Sequence, residues 1–146
     1  MKKHNGKEYI ENQKHDISEL LEIVGVLRSP EGCEWDRAQT FDSMKECLKN
    51  ETQEVLTAID NKDMDNLKEE LGDVLLQVLL NAQIASEQGY FDFNDVVQTL
   101  SEKLIRRHPH VFSDLPRPTT PEESLALWKR VKQIEKERKQ QKNTIK

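Results

Sequence analysis

The sequence is short of several things, and each shortage removes a class of protein. Its two cysteines, Cys33 and Cys47, form neither a CxxC pair nor a disulfide framework, which suits a reducing cytoplasm. Five glycines and five prolines are too few for a loop-rich or low-complexity chain. No apolar run approaches the roughly 20 residues of a membrane span. The opening MKKHNGKEYIENQKH has basic residues but lacks the apolar centre of a secretory signal. The expectation is a cytoplasmic protein with no membrane partner. Positive charge is not in excess either: 22 basic residues face 27 acidic ones, a net charge of -5. That argues against a nucleic-acid partner. No P-loop, no GxGxxG and no Ser–His–Asp order appears.

What is present points to helices. Charged residues make up 34% and apolar ones 35% of a chain of 146 residues, long enough for a core of its own. The central stretch is LKEELGDVLLQVLLNAQIA, residues 67–85, apolar on nearly every side. It is too long for a buried strand and rich in helix formers, so it reads as a buried helix over about 64–88, ending at Gly89. A helix over about 17–28 is capped by Asp16, with Leu20, Leu21, Val24 and Leu27 as its stripe. Another runs from about 42 to 60 behind Asp42, with Met44, Leu48, Val55 and Ile59 apolar. The short turn near residues 61–65 makes it antiparallel to the central helix.

A fourth helix, capped by Asp92 or Asn94, extends to about 107 with Val96, Val97, Leu100, Leu104 and Ile105 facing inward. A last helix begins at Pro121 behind Thr120 and carries Leu125, Leu127, Trp128, Val131 and Ile134. Residues 29–41 and HPHVFSDLPRPTTP read as irregular connections. The fold class is thus all-α, an antiparallel helical bundle of about five helices. Residues 1–15 are expected to be a flexible tail, 16–115 the helical core, and 116–146 a C-terminal helix with a frayed end of about ten residues.

Carboxylates three apart recur throughout and mostly mark a solvated helix face. Two such pairs differ in context. Glu51/Glu54 and Glu70/Asp73 lie on consecutive antiparallel helices, at matching distances from the turn. Four acids that converge repel one another strongly. Either a divalent cation relieves this, and all-oxygen ligation suits Mg²⁺ or Mn²⁺, or lysines and arginines on neighbouring helices pair with them. Lys103 and Arg107, one turn apart, would suit a polyphosphate held between metal and cations. Trp35 is either a plug on the core or a wall of a ligand pocket. His108 and His110 lack an evident third metal ligand.

Several blocks, in order, resemble the MazG family of nucleoside triphosphate pyrophosphohydrolases, part of a wider all-α group that includes dimeric dUTPases. They are LRSPEGCEWDRAQTF, ETQEVLTAI, LKEELGDVLLQV, AQIASEQGYFDFNDV, KLIRRHPHVF and LWKRVKQIEKE, and the resemblance covers roughly residues 17–135. The resemblance implies a MazG-like helical core and Mg²⁺-dependent hydrolysis of a nucleoside triphosphate to the monophosphate and pyrophosphate. It implies metal ligation by Glu51, Glu54, Glu70 and Asp73, with Glu51 and Glu54 also catalytic. Lys103 and Arg107 would act in catalysis and hold the substrate, and Trp128 matches a family tryptophan that would line its site; Trp35, on the reading of its loop, is the second aromatic offered to the base. It further implies a homodimer or higher homo-oligomer, with a four-helix core completed by dimerisation. The family motif EExxE begins here with Asn50 in place of the first acid. Seven residues after the motif aspartate, where catalytic copies often carry Asn, stands Leu80. These departures motivate the alternative of a catalytically weak or inactive assembly and dimerisation module that kept the fold.

Overall fold

The computed structural model of the chain describes residues 6–144, and among these it contains eight helices and no strand. They are α1 (Lys7–Glu11), α2 (Ile17–Leu27), α3 (Glu34–Ala38), α4 (Phe41–Asp60), α5 (Met64–Glu87), α6 (Phe93–Arg107), α7 (Pro109–Phe112) and α8 (Pro121–Thr144). The all-α expectation holds, with α2, α4, α5, α6 and α8 as the five long helices. The chain divides into two compact units, Met1–Phe93 and Asn94–Lys146, each taken in turn.

In the first unit, α2 starts where expected. The Asp16 carboxylate accepts the Glu19 N–H at 2.9 Å, satisfying one of the free donors of the first turn. After Leu27 the chain folds back so closely that the Cys33 N–H reaches the Leu27 carbonyl at 2.8 Å. A Cβ on Gly32 would collide with the Val26 and Leu27 carbonyls, so glycine is needed there. Arg28 locks the fold-back. Its side chain is only 8% exposed. Nε and Nη2 donate to Glu87 at the end of α5, and Nη1 donates to the carbonyls of Asp36 and Gln39.

α4 begins one residue earlier than the sequence suggested, and its cap is Thr40 rather than Asp42. Thr40 and Ser43 form a reciprocal capping box, which satisfies two backbone donors where Asp42 would satisfy one. Asp42 pairs instead with Lys45. The turn into α5 passes through Lys62 at φ 53°, and the Asp63 side chain then accepts the Asn66 N–H. α4 and α5 pack against each other as an antiparallel hairpin, and α2 packs on α5. Gly89, at φ 78°, follows α5 as expected.

Val24, Met44, Leu79, Leu80 and Ile84 form the core, with Leu20, Leu21, Cys47, Leu75, Leu76 and Phe93 against them. Burying each large side chain stabilises the fold by roughly 1.5–3 kcal/mol. The expected all-round burial of α5 is not found: its fully buried residues are confined to its second half. Leu79, Leu80, Ala82, Ile84 and Ala85 are buried, whereas Leu71 and Val78 remain exposed. On α4, Met44 and Ala58 are buried, but Leu48 and Ile59 are exposed. Apolar composition on a face signals that it seeks cover, not that its own chain supplies it.

Other expectations need correction. Residues 1–5 and 145–146 lie outside the described residues. Within the expected tail, Lys7–Glu11 is helical. The Asn12 amide donates to Glu19 at 2.7 Å and the Tyr9 hydroxyl to Glu22 at 3.4 Å, which ties this segment to α2. The connection over residues 29–41 contains α3, and HPHVFSDLPRPTTP contains α7, with Pro109 in its first turn.

In the second unit, no described residue is fully buried. Val97, Leu100, Leu104 and Ile105 of α6, expected inside, are all exposed. α8 starts as expected, with the Glu123 N–H on the Thr120 hydroxyl. It runs on to Thr144, past the point where fraying was expected, because Lys, Glu, Gln and Arg are good helix formers. No helix of the described residues is long and apolar enough to cross a membrane.

Candidate functional site

The α4–α5 hairpin carries the first group of residues. Three positions of helix turn a side chain back to nearly the same face, so Glu51 and Glu54 project together from α4, and Glu70 and Asp73 from α5. The tight turn sets the two pairs side by side. One oxygen from each of the four carboxylates lies within 4.8 Å of all the others. Among the described residues, none of the four forms an ion pair with a lysine or arginine. The salt-bridged alternative is therefore absent from the described residues.

Crowding four acids has an electrostatic consequence. Burial pushes the Glu51 carboxyl up, aided by its hydrogen bond with Glu54 and by the charges of Glu54 and Asp73. Glu70 is pushed up to about 7, first by a hydrogen bond with Glu54 that exists only while a proton is shared. Burial and the charges of Glu54, Asp73 and Glu51 add to it. Two oxygens, Glu51 Oε2 and Glu70 Oε2, are buried without a hydrogen-bond partner among the described residues. A buried acceptor left unpaired costs about 1–3 kcal/mol. A cation bound by these oxygens would remove both the orphaned acceptors and the repulsion, so the residues fit a metal. A donor set made only of carboxylate oxygens suits a hard divalent cation.

The neighbouring sequence departures are also placed. Asn50 is exposed. Leu80 is 1% exposed in the core, and the Asn81 amide is taken up by the Gln77 carbonyl at 2.7 Å. Gln77 itself went unnoticed in the sequence. It is buried, its Oε1 has no partner, and it lies one turn beyond Asp73; that spacing was the available signal.

The second group lies in the other unit, on α6, α7 and α8. Lys103 is half-buried one turn before Arg107. Arg107 donates from Nε and Nη2 to Glu135 Oε2 at 3.2 and 3.1 Å, and Arg106 Nε donates to the other oxygen of Glu135. The Arg107 guanidinium carbon stands 5.1 Å from the centre of the Trp128 ring, where the ring quadrupole attracts it. His108 meets the same ring edge-on at 5.1 Å. Arg106, helped by Arg107, holds the Glu135 carboxyl below the usual range against the opposing effect of burial. Glu135 and Arg106 went unnoticed because their pairing joins positions 29 apart, which no local spacing signals. Glu135 is two turns beyond Trp128, on the same face of α8. His108 and His110 adjoin, with ring centres 5.7 Å apart, but no third ligand joins them among the described residues. Trp35 is 59% exposed on α3, so it does not plug the core.

Comparison with known proteins places these residues in a wider set. Residues 39–112 match the MazG nucleotide pyrophosphohydrolase domain, a span that contains Glu51, Glu54, Glu70, Asp73, Lys103 and Arg107. The nucleoside triphosphate pyrophosphohydrolase/pyrophosphatase MazG of Thermotoga maritima is 55% identical over 123 residues, covering 84% of this chain and 46% of that protein. The nucleoside triphosphate pyrophosphohydrolase of Escherichia coli K12 is 46% identical over 132 residues, covering 90% of this chain and 50% of that protein. The chain thus spans about half the length of these relatives. Among solved structures, a MazG-related protein from Thermotoga maritima superposes with a TM-score of 0.65 at 32% identity, over 80% of this chain and 99% of that one.

Proposed function

We propose, because the chain belongs to the MazG nucleotide pyrophosphohydrolase family, that it hydrolyses nucleoside triphosphates to the monophosphate and pyrophosphate with Mg²⁺ as cofactor. One observation carries this reading: four convergent carboxylates, none of them salt-bridged among the described residues, two with orphaned oxygens. Glu51, Glu54, Glu70 and Asp73 would hold Mg²⁺; Mn²⁺ shares the oxygen preference and is expected to substitute. The bound ion would neutralise phosphate charge and lower the pKa of water.

The chain's own residues do the rest. A carboxylate left free of the ion accepts the proton of the attacking water. The water oxygen forms the new bond to phosphorus as the α–β anhydride breaks, and pyrophosphate leaves with the bonding electrons. Lys103 and Arg107 supply positive charge for the polyphosphate. Trp128 and Trp35 are the aromatic surfaces proposed for the nucleoside. The exposed Leu71 and Val78 on α5, and Leu100 and Ile105 on α6, support a homodimer or higher homo-oligomer that covers them. We place the enzyme in the cytoplasm.

The test is pyrophosphate release from a panel of NTPs and dNTPs, with Mg²⁺ and with EDTA, beside Asp73→Ala. Ion-dependent release is expected, reduced about a thousandfold by the substitution, as several kcal/mol of charge stabilisation implies. The exposed Asn50 and the core position of Leu80 favour a second reading, an assembly module without turnover. Absence of release from every nucleotide by a folded protein would select it.

A further inference from the structure

We propose that Glu135 is a positioning residue for Arg107, holding its guanidinium ready to receive a phosphate group. The proposal rests on the reading of Arg107 as a polyphosphate cation and adds to it a residue outside the matched domain, which ends at 112.

An arginine has five N–H donors in a planar fork. Glu135 Oε2 takes the edge formed by Nε and Nη2. The end of the fork, Nη1 with the second N–H of Nη2, lies outside that pairing. That end has the spacing of two phosphate oxygens. The guanidinium carbon lies over the Trp128 ring, 5.1 Å from its centre, and the Arg107 side chain is only 15% exposed. An unrestrained arginine would lose many rotamers on gripping phosphate, whereas this one has already lost them.

The charge balance decides between positioning and blocking. A carboxylate paired with Arg107 alone would cancel its charge and compete with phosphate. Here the other oxygen of Glu135 is held by Arg106. Two guanidiniums share one carboxylate, and the trio keeps a net positive charge. Arg106 thus lets Glu135 orient Arg107 without neutralising the pair. The side chains of Glu135 and Arg107 are 20% and 15% exposed, so water screens their pairing weakly, whereas Arg106 is 50% exposed and its charge is more strongly screened.

The experiment measures binding of inorganic pyrophosphate in the presence of Mg²⁺ by calorimetry, together with KM and kcat for the best nucleotide. It compares the full chain with Glu135→Ala, Glu135→Gln, Arg107→Ala and the double variant Glu135→Ala/Arg107→Ala, each checked by circular dichroism. Glu135→Ala is expected to weaken pyrophosphate binding and raise KM by about tenfold, the scale of losing an orienting partner, with kcat changed far less. Glu135→Gln, whose amide oxygen still accepts from Nε and Nη2, should recover part of the loss. In the Arg107→Ala background, Glu135→Ala should add nothing, which a merely structural role would not produce. Unchanged or tighter pyrophosphate binding by Glu135→Ala beside a competent parent overturns this proposal alone. So does an equal loss with and without Arg107. No pyrophosphate binding by the parent overturns the reading of Arg107 and this proposal together.

Discussion

The two units handle clustered acids in opposite ways. On α8, Glu135 has both oxygens bonded to arginines, and its carboxyl is held below the usual range. On α4 and α5, four carboxylates face one another, two oxygens lack partners, and Glu70 is pushed up to about 7. The first arrangement is complete within its own unit. The second has no such internal partner among the described residues, and protons or a cation would relieve its repulsion. Both are acids near hydrophobic surface, so burial alone does not separate them. The supply of positive charge does, and that difference separates an acid that organises structure from acids that could hold a cation.

Removing one acid from each unit should therefore act with opposite sign. Glu70→Gln is expected to weaken Mg²⁺ binding by about 10–100-fold, as loss of a ligand or its support does. It should also raise the melting temperature of the ion-free protein, because repulsion falls. Glu135→Gln should lower the melting temperature, since hydrogen bonds to charged groups contribute roughly 1.5–3 kcal/mol each. Calorimetric scans of both variants without divalent ions check this; the same sign for both would break the contrast.

A smaller effect concerns the turn that brings the acid pairs together. Lys62 sits in the left-handed region, a strain that glycine avoids. Lys62→Gly should stabilise the protein by about 0.5–1 kcal/mol in urea unfolding and leave Mg²⁺ affinity unchanged. A change in affinity would mean that the turn tunes the acid cluster as well as joining its halves.

Much of the cluster was legible in the sequence because helix periodicity and a short turn determine which side chains meet. Asp16, Thr120 and Gly89 were readable as helix-end residues for the same local reason. Thr40 was missed because Asp42 offered a competing cap two residues on. Arg28 was missed because its partners, Glu87 and the carbonyls of Asp36 and Gln39, come together only through tertiary folding. The engagement of Arg107 by Glu135 joins residues 28 apart, beyond any local spacing rule. The stripe of α6 was legible as apolar but not as exposed, since periodicity names a face and not what covers it. The convergence of the acids was inferred from residues, while their chemistry rests on resemblance to a family.

The measurement that tests the cation site most directly is the melting temperature of the protein between pH 5 and 8, with EDTA and with Mg²⁺. A carboxyl whose folded pKa is raised binds a proton more tightly when folded. Its stabilising contribution is full below the ordinary carboxylate range and is lost as pH rises through the folded value, about 7 for Glu70. Glu135 has the opposite sign, losing stability only as pH falls below the ordinary range, so it is silent in this window. Without divalent ions the melting temperature should fall as pH rises toward 8. Mg²⁺ should restore it at pH 8 and change it little at pH 5, because a ligand of the folded state stabilises by mass action. A melting temperature indifferent to pH in EDTA and to Mg²⁺ at pH 8 would contradict the account.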